Sequence, residues 1–176
     1  MEEVINLNLS ESTTLKALHE IMLIRVEERD IYQAYYTLDR LEDLQRGPSY
    51  LMKAKQFLEG AVSMMKKKYR EGLGFLDDLV DEPDLHDQLK PLVWSYRAYG
   101  NFHEGSVETA AKDYRALKDK SLAMESDEYN LELCTGVLSA LNKEWENSAR
   151  RFENARRISP AKIEPRFYQA VGLLSL

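Results

Sequence analysis

A bulky side chain, then a small one, a large one and an apolar or small one recur at spacings of three, four and three residues, and the whole set returns every 38 residues. The bulky positions are Ile31, Tyr69, Val107 and Trp145, and the small ones are Ala34, Gly72, Ala110 and Ser148. Leu38, Leu76, Tyr114 and Phe152 follow, then Leu41, Leu79, Leu117 and Ala155. Because a helix turns once in about 3.6 residues, this spacing puts each set on one helical face. A period of this length marks a repeat architecture, in which each unit buries its apolar face against the next.

The small position has a steric meaning: where two helix backbones approach closely, only Gly, Ala or Ser fits between them. Met22, Gly60, Ala98 and Gly136 stand before the four sets, also 38 apart and mostly small, within a preceding apolar-rich helix. The unit is therefore an antiparallel helix pair. Composition agrees, since 8 Gly and 5 Pro in 176 residues fall below the roughly 12% of average chains, and Leu and Ala far outnumber Thr, Val and Ile. Nine helices are expected: about 13–27 with 30–45, 49–66 with 69–81, 88–100 with 103–120, 127–141 with 144–158, and an unpaired one from 165 to 176. Gly47-Pro48 before Ser49, Ser126 before Asp127 and Pro165 mark helix starts. Pro91 must begin or kink a helix, so 84–90 is expected as a separate turn.

This pattern resembles the tetratricopeptide repeat (TPR) over about residues 15–176. The family's second helix carries an aromatic, an alanine, a further aromatic and another alanine, with a proline beyond its end. Trp145, Ser148, Phe152, Ala155 and Pro160 match that run, and Pro83 follows the second copy similarly. The family's first helix has a large residue four positions before a small one, as in Trp94 and Ala98, Leu18 and Met22, or Tyr168 and Gly172. The family period is about 34, so each copy here is four residues longer, and Gln56 and Glu132 occupy the large position in the second and fourth copies. The resemblance implies an all-α fold, a right-handed α-α superhelix or TPR-like solenoid of four helix pairs plus a C-terminal helix. Residues 1–12 form an extension and 13–176 the repeat domain, with repeats at about 15–52, 53–90, 91–128 and 129–164 and a final helix at 165–176.

The resemblance also implies function: the first helices line a concave side that binds a partner peptide or amphipathic helix. On that register Phe57, Ala61, Met64, Tyr96, Tyr99, Phe102, Leu133 and Val137 face an apolar, Met- and aromatic-lined groove. One extra residue in the turn of each pair would rotate a first helix by about 100° and make the same side chains core. Both placements stand at this point. The positions that form a carboxylate clamp in some relatives read His19, Leu23, Leu58, Leu92 and Tyr96, which argues against that type of co-chaperone. Arg150, Arg151, Arg156 and Arg157 run along the fourth second helix; as a solvated face they need no function, but with Lys162 and Arg166 they offer an acidic partner a second site, and Arg150 and Arg157 are its test positions.

Other chemistry finds little footing. A net charge of −6 disfavours general nucleic-acid binding, which needs a basic surplus. His19, His86 and His103 show no ligand spacing, and no phosphate loop or nucleophile motif occurs, so neither an enzyme nor a cofactor is expected. The single Cys134 fits a reducing compartment. An acidic N-terminus without a long apolar stretch fits a cytoplasmic protein with no membrane contact. The expected role is a protein-binding adaptor or scaffold. The alternatives are a chaperone of the type III secretion translocator class and a structural subunit self-associating through its apolar C-terminal helix.

Overall fold

The computed structural model describes residues 11–39, 48–118, 126–165 and 168, and all its regular structure is helical. Eight α-helices occur among these residues: α1 (Glu11–Glu27), α2 (Ile31–Asp39), α3 (Ser49–Met65), α4 (Tyr69–Leu76), α5 (Lys90–His103), α6 (Val107–Lys118), α7 (Asp127–Leu141) and α8 (Trp145–Ile158). Helix contacts follow chain order, each helix resting on its sequence neighbours, with α5 also touching α3 and α7. The ninth helix falls largely outside the described residues, as do the apolar residues Val4, Ile5, Leu7 and Leu9.

Four turns join the paired helices, and they are copies of one another. Arg29, Lys67, Gly105 and Lys143 all have positive φ, between 60° and 85°. Each follows a helix whose last carbonyls are closed in the same way: Asp30 N–H donates to Arg25 and Arg29 N–H to Val26, with equivalent bonds at Lys68 and Lys67, Ser106 and Gly105, Glu144 and Lys143. This is a Schellman closure, the left-handed residue satisfying carbonyls that would otherwise be orphaned. The second helix then begins at once, at Ile31, Tyr69, Val107 and Trp145, the bulky positions of the repeat. Asp30 caps α2 by accepting from Gln33 N–H at 3.1 Å.

The small positions hold the pairs together. A Cβ built on Gly60 would lie 2.8 Å from Leu76, and one on Gly136 would lie 2.6 Å from the Phe152 ring. Gln56 and Glu132, the polar departures from the pattern, serve the same interface: Gln56 Nε2 donates to the Phe75 carbonyl at 2.9 Å, and Glu132 accepts from Arg151 at 2.8 Å and Asn154 at 3.1 Å. The core runs through the array as neighbouring clusters, the largest around Leu38, Leu51, Phe57, Leu58 and Leu76.

Two boundaries depart from expectation. α4 gives way after Leu76 to a 3₁₀ turn at Asp77–Leu79, because a run of acids opposes the negative end of a helix and Pro83 cannot continue it. α6 starts at Val107 rather than 103, since α5 runs on to His103 before Gly105 reverses the chain. Residues 84–89 form separate turns anchored by buried Leu85 and Leu89, and Pro91 sits in the first turn of α5.

Candidate functional site

A cavity of about 570 Å³ opens between the first helix turn and the segment after α8. Val26, Arg29 and Ile31 form one wall, Ile158, Ser159 and Lys162 another, and Leu92, Tyr96, Ser126 and Tyr129 lie between. A smaller neighbour of about 270 Å³ is lined by Met64, Met65, Lys67, Tyr96, Tyr99, Ser126, Asn130 and Lys162. Tyr96, Ser126 and Lys162 are common to both, so the two form one groove.

The repeat explains how these side chains come together. Arg29 and Lys67 are the left-handed turn residues of the first two pairs, equivalent positions that the Schellman closure projects at the end of each first helix. Tyr96 and Tyr99 rise from α5, the Tyr96 ring meeting Phe57 edge-on at 6.0 Å. Tyr99 lies 4.4 Å from His103, which stacks on Tyr69 at 4.6 Å. The Lys162 ammonium rests 3.9 Å over the Tyr129 ring, and Tyr129 Oη donates to Glu164 at 3.4 Å.

Burial sets the protonation of these groups. It raises the Tyr96 phenol, and with the neighbouring Tyr69 it pushes Tyr99 up to about 12. Tyr129 moves upward as well, first through burial and then through Glu164. His103 moves down through burial and then the Lys67 charge. At neutral pH the groove therefore offers neutral phenols beside lysine and arginine cations, with the neutral His103 imidazole packed against Tyr99.

The sequence-derived positions divide. Met64, Tyr96 and Tyr99 line the groove. Phe57, Ala61 and Leu133 are interior, none more than 4% exposed, and Met64 is itself almost wholly covered. Adjacent first helices close on one another here: Tyr96 covers Phe57, and the Met64 methyl fills the space that a side chain on Gly100 would occupy. Phe102 and Val137 are half-buried against the α6–α7 and α7–α8 clusters. Arg150 and Arg157 are exposed on α8, where Arg150 donates to Asn147 at 2.9 Å and Arg157 pairs with Glu153 at 3.4 Å.

The sequence reading missed Val26, Arg29, Ile31, Tyr129 and Ile158 as lining. Arg29 and Lys67 carried a usable signal, cations one period apart at the turn, whereas no local spacing ties Ile158 to the first turn. Cys134 is buried and burial holds its thiol well above the usual range, which makes it unreactive. No cluster of metal-ligating side chains and no helix long and apolar enough to cross a membrane occurs among the described residues. No protein-family model matches the chain, and no characterised protein or solved structure is similar to it at a significant level.

Proposed function

We propose that this chain is a protein-binding adaptor, a tetratricopeptide-like right-handed superhelix that holds a peptide or helix of a partner in its concave groove. The observation that carries the reading is the fourfold identity of the turns, 38 residues apart in sequence and alike in hydrogen bonding. Units joined in one way and touching only their neighbours stack into a curved array with a continuous inner surface. The groove between the first turn and the end of α8 is where such a surface would receive a ligand, with apolar, phenolic and cationic groups side by side. The role is one of binding, without catalysis or cofactor, in the cytoplasm.

The test places charge on groove residues that the core does not need. Met65 and Ile158 are 45% and 39% exposed, so Met65→Glu with Ile158→Glu leaves the fold intact by circular dichroism. Arg150→Glu with Arg157→Glu alters the outer surface of α8 instead. In affinity capture from native extract, a partner held by wild type and by the α8 variant should be lost from the groove variant. Loss from the α8 variant alone would move the site to the arginine face and overturn the groove.

A further inference from the structure

Helix α1 is apolar on two opposite sides. Leu18, Met22, Leu23 and Val26 are buried against the rest of the array. Ala17, Ile21 and Ile24, spaced by four and three residues, form a second stripe, with Ile24 about 160° round the helix from Val26. Ala17 and Ile21 are half-buried and Ile24 is 45% exposed. The end units of a helical array normally turn a polar face to water, so an apolar stripe on the first helix calls for a cover.

The repeat shows what becomes of this stripe in the later copies. One period after Ile24 stands Val62, only 6% exposed, and two periods after it stands Gly100, whose missing side chain leaves the space that Met64 of the preceding first helix fills. Val93 and Leu131, two and three periods after Ala17, are buried as well. α1 is the first helix described, and the ten residues immediately before it read MEEVINLNLS.

Those ten residues have the chemistry to cover it. Ile5, Leu7 and Leu9 alternate with Asn6, Asn8 and Ser10, an order that in extended backbone sets three apolar side chains on one edge, about 6.6 Å apart. The stripe climbs α1 in steps of about 4.5–6 Å, and Ile24 lies about 20 Å along the axis from Glu11. Ten extended residues span roughly 33 Å, so the segment reaches the whole stripe. Its tether at Glu11 also gives it an effective concentration of about a millimolar, which a separate chain would have to match. We infer that residues 4–9 fold back along α1 and cover Ala17, Ile21 and Ile24, a cap that takes the place of the preceding unit seen in the later copies. The groove lies on the other side of α1, where Val26 lines it, so cap and groove are independent.

Disulfide trapping in the whole chain tests the cap, because a bridge closes only where the two Cα atoms come within about 7 Å and the side chains face each other. Ile5→Cys and Leu7→Cys, each combined with Ile21→Cys, place a thiol on the apolar edge. Asn6→Cys and Asn8→Cys, each combined with Ile21→Cys, place it on the opposite edge at the same reach. Native Cys134 is buried and takes no part. Under mild oxidation at least one apolar-edge pair should close an intramolecular bridge ten times faster than either opposite-edge pair. Separately, Ile5→Ser with Leu7→Ser should lower the melting temperature by at least about 2 °C. Equal closure of both kinds of pair would mark a segment that passes the stripe without lying on it, and would overturn the cap. Bridged dimers would show the segment of a second copy in its place and would overturn it too. Closure of no pair, or an unchanged melting temperature in the serine variant, would leave the stripe open to a separate partner and sink the inference.

Discussion

Gly136 leaves the space that the Phe152 ring fills: a Cβ at Gly136 would stand 2.6 Å from Cε1 of that ring. Phe152 is 1% exposed and stacks on Tyr168 at 5.9 Å, so it has little room to retreat. Gly136→Ala should therefore lower stability by up to about 2 kcal/mol, overpacking of about 1–3 kcal/mol outweighing a helix-propensity gain of about 1 kcal/mol. Gly74 in α4 meets nothing within 4 Å, and Gly74→Ala should raise stability by about 0.5–1 kcal/mol. Urea unfolding of the two variants should show opposite signs.

The left-handed turn residues predict a stabilising change. Lys143 holds φ at 62°, a conformation that costs an L-residue about 1–2 kcal/mol. Lys143→Gly should gain up to about 1 kcal/mol, the remainder being offset by the freedom that glycine recovers on unfolding. Gly105→Ala should lose about 1 kcal/mol at the equivalent turn. Equal effects of both substitutions in thermal melts would contradict the shared geometry.

Arg97 and Asp113 form the most buried ion pair among the described residues. Nε donates to Oδ2 at 2.9 Å and Nη2 to Oδ1 at 2.6 Å, with the Asp113 side chain only 1% exposed. The guanidinium also lies 4.7 Å from the Trp94 ring centre. Removing the Asp113 charge leaves the largely buried Arg97 only the looser Asp77 carboxylate at 3.9 Å, so Asp113→Asn should cost about 3 kcal/mol, the low end for a broken buried pair. Replacing Glu153, which pairs with Arg156 and Arg157 on α8, by Gln should cost much less, and comparison of the two losses in denaturant titrations checks the assignment.

His19 makes stability pH-dependent. Its ring is buried beside Tyr50 at 4.8 Å and His86 at 5.5 Å, and its Nε2 has no hydrogen-bond partner. Burial and then the His86 charge lower its pKa, against which Glu20 acts weakly. The unfolded chain therefore takes up the proton first as pH falls below the ordinary histidine value of 6.5. Stability is full above that value and declines below it until the folded-state pKa is reached. His103, lowered for similar reasons, adds a slope of the same sign. His19→Gln should flatten the fall in melting temperature between pH 7 and pH 5, and His19→Gln with His103→Gln should flatten it further.

The repeat made helix starts and pair registers legible, because steric exclusion at Gly60 or Gly136 and the restart at Ile31 or Trp145 are local events. The side chains that remain accessible were harder to read. Phe57, Ala61 and Met64 have the pattern of groove residues, but the closeness of α3 and α5 turns them into core. That closeness depends on Gly100, whose missing side chain makes room for Met64. The groove itself combines residues from the first turn and from beyond α8, and such a meeting is the accumulated result of seven helix interfaces that no local spacing records. The partners of the α8 arginines were not legible either: Arg151 pairs with Glu132, Arg156 and Arg157 pair with Glu153, and Arg150 donates to Asn147.

The order of contacts along the chain gives the groove a mechanical character. Its two walls belong to the first and last pairs, yet every extensive contact joins elements no more than two apart in sequence. Wall separation is thus set through the successive helix interfaces that lie between them. A ligand held between the two walls would work against all of these joints, so a substitution at the Gly60–Leu76 contact, which lines neither cavity, would change how tightly the two ends clasp it without touching either.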